Sequence, residues 1–546
     1  MLRLDSESSP ELVAPKVWPS ARMRRRSDLG VVSAGIVMLI GFWVIPWVTV
    51  QAETAGNSVL DAAIRADFSG PGKPLNRRIL GVGFIRPPFD RAFVDFWGDG
   101  IFDGTSARIW VTPNKAGDVP KSKLADSQAA INYACELDIE ERIGFAAGVV
   151  KIRRRARYDS ESDNNLDPVH QPHSVAGIVE QLSPPNPEEG CGLTGWEVWN
   201  EPQFRKKGEW PAEDLALYAV DVARAIHTIR PQIRVGVPLH ERDMDWNRRL
   251  LQELVRIAPN EIDFVSFHPY WIAWWKEADD VGLDFSRAAG AEVLREISIR
   301  PKVDLVRQVG NGRWSLVASE WNVHPKGYRP PYDISTDMSA ALHLAGMMDV
   351  YIGEGVDSAQ FFLLRNPQYG HFGLSYQDGD GHWYNATGLA MRLYGRYLRG
   401  ATVDTVVTTP TRTYPVPVGG LVEVPAIFGT IAHDPDANRL AIFIGNRDSE
   451  HAGQVRLELT GLVGDWWDVE EYRLSRSDSS RETTVSHREL TPWRQADVVE
   501  GIQVLVPPMS LVVLVATRPN GADDAQAISY VKSDIEERMR WTRNVH

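Results

Sequence analysis

The sequence predicts an α/β fold, in which a (β/α)8 or TIM barrel is followed by a C-terminal β-sandwich and preceded by a membrane-targeting segment. Three observations predict it. Between residues 79 and 398, apolar runs of strand length alternate with helical segments. From about residue 400, short apolar runs are separated only by turns. Near the N-terminus, 22 consecutive residues carry no charge.

The barrel is predicted from eight strand–helix alternations, a rhythm typical of this fold. The strands are predicted over residues 79–84, 105–111, 142–150, 194–201, 232–239, 262–270, 314–320 and 357–364. Helices are predicted over residues 127–135, 173–182, 246–257, 288–309, 337–351 and 384–398. Another helix begins at Pro211 and carries Tyr218, Val222 and Ile226 at spacings of 4 on its apolar face.

The predicted domain limits follow these changes of pattern. Residues 1–52 form the targeting segment, 53–399 the barrel, 400–517 the sandwich and 518–546 a polar tail. The run 59–68 is an open case, since it could instead add a strand to the sandwich. The sandwich strands are predicted over residues 426–432, 439–445, 454–459, 468–474, 501–506 and 510–516.

The N-terminal segment pairs a basic cluster, Arg22 and Arg24 to Arg26, with the uncharged run 29–50. Basic residues keep that end cytoplasmic, so the bulk of the chain is predicted to be extracytoplasmic. A signal peptide cleaved after Ala52 and an uncleaved anchor are both consistent with this pattern, and the length of the run favours the anchor. The protein is therefore predicted to be either membrane-anchored or secreted.

Charge and motifs limit the classes of partner. A net charge of −13 argues against a general nucleic-acid-binding protein, which needs a basic face. The sequence has no HExxH, P-loop or GxGxxG pattern, so we expect neither a metal nor a cofactor. The two cysteines, Cys135 and Cys191, favour two separate thiols, with one disulfide bridge as the alternative.

The ends of two predicted strands carry the same sequence pattern, an apolar run that ends on a glutamate. Residues 196–202 read Trp-Glu-Val-Trp-Asn-Glu-Pro, where the proline stops the strand directly after Glu201. Residues 314–322 form a second apolar run that ends on Glu320 beside Trp321 and Asn322. Breaking a glycosidic bond requires one carboxylic acid and one carboxylate on opposite faces of a sugar. The two glutamates are 119 residues apart, and a barrel brings such strand ends together at its C-terminal rim.

Glu197 shares the strand parity of Glu201, but it precedes Glu201 by four residues. At about 3.3 Å per residue, this places it roughly 13 Å deeper in the barrel. Side chains at that depth serve stability, so Glu197 is interpreted as a structural ion-pair partner.

These motifs resemble glycoside hydrolase clan A, whose members carry Asn-Glu at the end of strand four and Glu at the end of strand seven. The resemblance implies that Glu201 is the acid/base and Glu320 the nucleophile of a retaining mechanism. Within the clan, the sequence from Trp196 to Pro202, Phe-His-Pro-Tyr at 267–270 and the terminal sandwich look most like family 39, the β-xylosidase and α-L-iduronidase group.

The resemblance also implies a set of sugar-binding residues. Asn200 would donate a hydrogen bond to a sugar hydroxyl, and Arg108 and Tyr270 would donate to Glu320. The alternatives are a buried salt bridge for Arg108 and an ordinary interface position for Tyr270. His268 would either bind a sugar hydroxyl or only satisfy a turn. Trp271 and Trp321 are expected to line subsites. The family's tryptophan at strand eight is replaced by Phe361 to Arg365, so Trp383 on the next loop is expected to substitute.

The sequence therefore predicts a retaining, β-xylosidase-like enzyme that acts on an extracytoplasmic oligo- or polysaccharide. An α-L-arabinofuranosidase of the same clan is the nearest alternative, because it uses the same pair of glutamates. A membrane-tethered glycan-binding protein without catalytic activity is an alternative of a different class.

Overall fold

The computed structural model describes residues 59–84, 91–111, 121–146, 158, 166, 170–185, 190–202, 210–271, 283–323, 337–365, 373–378, 381–416, 420–466, 468–476 and 483–518. The predicted targeting segment and the tail from residue 519 lie outside these residues. So does the end of the third predicted strand, residues 147–150. Within the described part of the chain, no helix has both the length and the apolarity needed to cross a membrane.

Eight parallel strands form a closed barrel, which confirms the predicted fold class. Two short strands, β1 (Leu60–Asp67) and β2 (Lys73–Pro74), come before it. The barrel strands are β3 (Gly81–Phe84), β4 (Ser106–Val111), β5 (Glu141–Ala146), β6 (Gly195–Glu197), β7 (Arg234–Pro238), β8 (Phe264–Ser266), β10 (Ser315–Val323) and β11 (Ser358–Phe361). Strand β11 closes the ring because it pairs in parallel with both β10 and β3. A separate short strand, β9 (Tyr270–Trp271), continues along the outer end of β10.

Helices surround the barrel strands. They are α1 (Arg91–Trp97), α2 (Lys121–Glu136), α3 (Pro172–Leu182), α4 (Ala212–Ile229), α5 (Met244–Ile257), α6 (Leu283–Ala288), α7 (Gly290–Leu294), α8 (Arg300–Gly310), α9 (Met338–Glu354) and α10 (Ala386–Tyr397). The side chains of Asp243, Asp337 and Asn385 cap three of them by accepting backbone N–H bonds. The single helix predicted over 288–309 is divided, because a π turn at Arg295–Ile299 separates α7 from α8.

The C-terminal region is a sandwich of two main sheets. Its strands are β14 (Ala401–Thr402), β15 (Thr405–Thr408), β16 (Thr411–Pro415), β17 (Leu421–Pro425), β18 (Ile427–Asp434), β19 (Arg439–Asn446), β20 (Gly453–Thr460), β21 (Asp468–Arg476), β22 (Thr483–Leu490), β23 (Ile502–Val506) and β24 (Ser510–Thr517). One sheet runs β15-β1-β20-β23 and the other β2-β14-β18-β19-β24-β21-β22. Strand β1, from the run 59–68, therefore lies in the sandwich. A short helix, α11 (Gln495–Glu500), and the hairpins β16–β17 and β12–β13 (Ser375–Asp378 and Gly381–Tyr384) complete the elements.

The sandwich packs directly against the barrel helices. Tyr394 on α10 stacks on Phe443 of β19, with ring centroids 4.1 Å apart. The hydroxyl of Tyr397 donates to that of Tyr472 on β21 at 2.9 Å. These side chains belong to the same buried apolar cluster as the barrel–helix packing. The face of the sandwich that meets the barrel thus shares the barrel's core, whereas the side chains between the two sheets form a separate apolar cluster.

Cys135 and Cys191 form a disulfide, so the expectation of two separate thiols is wrong. The bond joins the end of α2 to the segment before β6, and the two cysteines are 56 positions apart in the sequence. Sequence gave no signal for the pairing, because the cysteines meet only when α2 packs beside the loop that follows α3.

Candidate active site

Glu201 lies just beyond β6, at the C-terminal rim of the barrel. The strand ends at Glu197, four residues earlier than the strand end predicted from sequence. Glu201 has a φ of 52°, a left-handed conformation that costs a residue other than glycine about 1 kcal/mol or more. Its side chain is 17% exposed, so the carboxylate remains accessible at the rim. The chain therefore turns sharply here and presents this carboxylate beside the barrel opening.

Glu320 lies on β10 and is almost fully buried, with a side-chain exposure of 7%. One carboxylate oxygen contacts the guanidinium of Arg108, which reaches over from β4. The other accepts a hydrogen bond from the hydroxyl of Tyr270 at 2.9 Å. Donors therefore hold both oxygens of Glu320, which fixes the orientation of the carboxylate and favours its ionised form.

The fold brings the two glutamates together with His268. Oxygens of Glu201 and Glu320 and a ring nitrogen of His268 all lie within 4.8 Å of one another. Such a trio also has the spacing of metal ligands. The guanidinium of Arg108 already lies against Glu320, however, and a second cation there would be repelled. The arrangement is that of two carboxylates facing one shared space at the rim.

Arg108 holds the centre of the cluster. Its guanidinium is bonded to Glu197 as well as to Glu320, and it donates to the side-chain oxygen of Asn200 at 2.8 Å. The side chain is 1% exposed and lies over the ring of Phe145, 3.6 Å from the centroid. The salt-bridge interpretation of Arg108 and the functional one are thus both consistent with its position, since one guanidinium makes both contacts.

His268 bridges the two carboxylates. Its Nδ1 lies 3.3 Å from an oxygen of Glu201 and 3.7 Å from one of Glu320. Its Nε2 lies 3.0 Å from the hydroxyl of Ser319. The backbone N–H of His268 donates to Glu241, whose carboxylate is held in turn by the buried Lys302. The ring therefore faces the carboxylates of Glu201 and Glu320, a position that a simple turn contact does not require.

Burial and charge shift several of these groups. Burial raises the pKa of Glu320, and the charge of Glu201 adds to this, although Arg108 and His268 oppose it. Burial acts the same way on Glu197, but Arg108, His268 and two serine hydroxyls outweigh it, so the pKa of Glu197 is lowered. Burial would lower the pKa of His268, but Glu320 and Glu201 raise it. Burial and neighbouring charges thus act in opposite directions on Glu320 and His268 at the rim, whereas the deeper Glu197 is held in its ionised form.

Two tryptophans predicted to contact sugar are buried against protein, which corrects that expectation. Trp321 is 0% exposed and packs edge-on against Tyr351 and Phe361, between β10, α9 and β11. Trp271 is 2% exposed, and its indole N–H donates to the carbonyl of Ser286 on α6. Neither ring has a free face for a ligand. Trp383 lies on β13, and its backbone pairs with Tyr376.

Two aromatic residues near the site were not predicted. Phe362 follows β11 directly; its ring lies 6.1 Å from that of Tyr270 and 5.9 Å from that of Trp110. Both Phe362 and Trp110 are partly exposed at strand ends. Their positions immediately at the ends of strands eight and two were the signal that could have identified them. Strand parity could likewise have paired Ser266 and Ser319 with Glu197, to which both donate.

Comparison with known proteins gives no match by sequence and many by structure. Neither the models of known protein families nor the sequences of curated proteins match this chain. A GH51 arabinofuranosidase from Xanthomonas axonopodis pv. citri superposes with a TM-score of 0.63 at 15% identity, covering 84% of this chain and 100% of that one. An α-L-arabinofuranosidase from Thermotoga maritima, solved as an arabinose complex, gives 0.61 at 17% identity, covering 83% and 99%.

A second group of structures is also similar. A Paenibacillus polymyxa xyloglucanase from glycoside hydrolase family 44 superposes with a TM-score of 0.56 at 13% identity, covering 84% of this chain and 100% of that one. At such identities the likeness establishes the fold. It extends over both the barrel and the sandwich, since more than four fifths of the chain is covered.

Proposed function

We propose that this protein is a retaining glycoside hydrolase of clan A, in which Glu320 is the nucleophile and Glu201 the acid/base. The observation that carries the proposal is that an oxygen of Glu201 and an oxygen of Glu320 lie within 4.8 Å of each other at the barrel rim. Retaining enzymes hold their carboxyl groups about 5 to 5.5 Å apart, whereas inverting enzymes need about 6.5 to 9.5 Å to admit a water molecule. The shared fold of the family 51 and 44 hydrolases supports the same conclusion.

In the first step, an oxygen of Glu320 attacks the anomeric carbon as the bond to the leaving oxygen breaks. Arg108 and Tyr270 both donate to Glu320 and favour its anion, which opposes the effect of burial on its pKa. The mechanism assigns the proton of the pair to Glu201. Glu201 gives that proton to the departing oxygen. The products are a free alcohol or shortened glycan and a glycosyl ester on Glu320.

In the second step, Glu201 removes a proton from a water molecule, whose oxygen attacks the same anomeric carbon. The ester bond to Glu320 breaks, and the sugar leaves with its original anomeric configuration. His268 lies 3.3 Å from Glu201 and stabilises its anionic form between the two steps. Asn200 is held by Arg108 at the rim, in position to bind a hydroxyl beside the reacting carbon.

For the substrate class, an α-L-arabinofuranoside is favoured over a β-xyloside. The observation that favours it is the similarity to arabinofuranosidases, with TM-scores from 0.59 to 0.64. Family 39 membership and β-xylosidase activity remain predictions from the sequence motifs. Phe362 stands where family 39 members commonly carry a tryptophan, so the pocket differs from theirs at strand eight.

The test combines a substrate panel with covalent labelling. Aryl α-L-arabinofuranoside, β-xyloside, β-glucoside and β-galactoside are compared by kcat/KM, and we expect the arabinofuranoside to be turned over fastest. A 2-fluorosugar with an activated leaving group should label the peptide that contains Glu320. Glycan binding without turnover or labelling would instead indicate the non-catalytic binding protein.

We also propose an extracytoplasmic location, with residues 1–52 as the targeting segment and with residues 400–517, joined by strands β1 and β2, as the sandwich. The Cys135–Cys191 disulfide supports this location, because such bonds persist in oxidising compartments. Fractionation of cells producing the full chain, with and without residues 1–52, tests it. Recovery of the full chain in the cytoplasm with free thiols would contradict it.

A further inference from the structure

The hairpin β16–β17 of the sandwich reaches the part of the barrel that carries Tyr270. Tyr414 on β16 is 3% exposed, and its ring packs edge-on against Trp271 of β9, with centroids 5.7 Å apart. Trp271 follows Tyr270 directly, and the two residues form β9. Trp271 thus links Tyr414 of the sandwich to Tyr270, the tyrosine that donates to Glu320.

A second contact from Tyr414 passes through helix α6. Its hydroxyl lies 2.7 Å from the hydroxyl of Ser286, and the carbonyl of Ser286 accepts the indole N–H of Trp271 at 3.0 Å. Arg412, on the same strand as Tyr414, lies 5.2 Å from the ring of Phe285. The hairpin therefore contacts Phe285 and Ser286, two successive residues of α6. Ser286 in turn accepts a hydrogen bond from Trp271.

Helix α7 lies close against the ring of Trp271. A Cβ on Gly290 would come within 2.5 Å of the indole, so α7 approaches the ring as closely as glycine permits. On the barrel side, Trp271 pairs with Val323 and Tyr270 with Asn322, on the last residues of β10. Strand β9 is therefore held between β10 and the sandwich hairpin.

We propose that Tyr414 is a positioning residue of the active site, through which the sandwich holds β9 so that Tyr270 stays bonded to Glu320. Tyr414 touches neither glutamate; it acts through Ser286 and Trp271. The sandwich would then be required for the geometry of the nucleophile as well as for stability. This inference rests on the proposed function, since it assigns Glu320 the role of nucleophile.

The first test is the pH profile of kcat/KM on an aryl glycoside. Glu320 is faced by Arg108, His268, Glu201 and Tyr270, and the hydrogen bond from Tyr270 lowers its pKa. Loss of that bond raises the pKa, so the acid limb moves to higher pH. We expect Tyr270→Phe to move it by about one pH unit and Tyr414→Phe by about half as much. For Tyr414→Phe, kcat/KM at the optimum should fall about 3-fold.

Two controls separate positioning from general loosening. The double variant Tyr270→Phe/Tyr414→Phe should shift the limb no further than Tyr270→Phe alone, because both changes act on one hydrogen bond. Tyr472→Phe removes another buried tyrosine hydroxyl at the same domain interface, bonded to Tyr397 at 2.9 Å, and should leave the limb in place. Additive shifts, or an equal shift from Tyr472→Phe, would overturn the proposal, as would a lowered Tm with an unmoved acid limb in Tyr414→Phe.

A readout without turnover keeps this inference distinct from the proposed function. If the wild-type chain hydrolyses no glycoside, the proposed function fails, and hydrogen exchange still tests the contact. Tyr414→Phe should speed amide exchange in the peptide that contains residues 264–271 by about 10-fold, while Tyr472→Phe should not. Unchanged exchange in Tyr414→Phe would refute the positioning role by itself.

Discussion

Two buried arginines, Arg108 and Arg447, each hold a polar cluster in the described part of the chain, and the surroundings of the two differ. Arg108, 1% exposed, lies between the carboxylates of Glu197 and Glu320 at the barrel rim. Arg447, 0% exposed, lies where the sandwich meets the barrel helices and contacts Glu292 and the carbonyl of Pro425. The first cluster brings the carboxylates of Glu197 and Glu320 against one guanidinium, with Glu201 nearby, whereas in the second Glu292 and Asp349 are balanced by the guanidinium groups of Arg447 and Arg295.

The charges of the neighbouring groups follow from this difference. Burial would lower the pKa of Arg108, but Glu197 and Glu320 outweigh it and raise the pKa. Burial lowers the pKa of Arg447, and the nearby Glu292 and Asp349 only partly oppose it. His268 at the rim has a raised pKa, whereas burial and Arg447 lower the pKa of His343 to about 3. Surplus carboxylates thus keep a buried site charged, and without them burial favours neutral forms.

The largest expected effect separates the two clusters by function. Glu320→Ala should reduce kcat about 10⁴-fold or more, because no other side chain can form the covalent intermediate. Glu292→Gln, at the interface cluster, should leave kcat/KM per folded molecule within about 2-fold, since it does not face the rim. Initial rates on an aryl glycoside, corrected for the folded fraction, measure both. Residual activity above about a hundredth in Glu320→Ala would show that the nucleophile lies elsewhere.

Glu201 should show a loss that depends on the leaving group. Glu201→Ala removes the proton donor, so glycosides with poor leaving groups should lose about 10³-fold in kcat/KM. An activated aryl substrate needs little protonation and should lose much less in its first step. A series of aryl glycosides of rising leaving-group pKa measures this difference. Equal losses across the series would contradict the assignment of Glu201.

A substitution of Arg108 tests whether the residues of the rim cluster act together. Arg108→Lys replaces a planar fork by one ammonium group, which cannot bond Glu197, Glu320 and Asn200 together. We expect kcat/KM to fall about 10²-fold with a smaller change in KM, because the lost contacts orient the nucleophile. Arg447→Lys should act chiefly on Tm. If the two variants lose activity equally, the distinction between the clusters does not hold.

The sequence predicted the barrel and its two strand-end glutamates because those features are local. Trp196 to Pro202 carries its own stop signal, and the apolar run before Glu320 ends at the same rim. The contacts that decide what surrounds them are not local. Trp321 directly follows Glu320 on β10 and Trp271 directly follows Tyr270 on β9, so the alternation of side chains along a strand turns both rings away from the site and into the helix layer. The disulfide and the reach of Tyr414 depend on how separate elements pack, which periodicity does not encode.

The smallest expected effect is on the pH dependence of the unfolding free energy, through Asp349 in the interface cluster. Burial raises the pKa of Asp349 from 3.8 to about 6, and the charge of Glu292 adds to this. The folded state therefore binds this proton more tightly than the unfolded chain does, so the stability contribution is present at low pH. It is lost as pH rises through about 6. We expect Asp349→Asn to remove this loss, so that between pH 4 and pH 7 the variant gains about 2 to 3 kcal/mol of unfolding free energy relative to the wild type.

Urea unfolding at pH 4, 5.5 and 7 measures this difference directly. The comparison of the variant with the wild type cancels the contributions of other acids, such as Glu197, whose lowered pKa gives the opposite slope. Thr430 donates to Asp349 at 3.2 Å, a bond that an asparagine oxygen can also accept, so packing at the interface is preserved. If the unfolding free energies of the two proteins change in parallel with pH, Asp349 is ionised in the folded state. The contrast between a charged rim and a neutral interface would then be wrong.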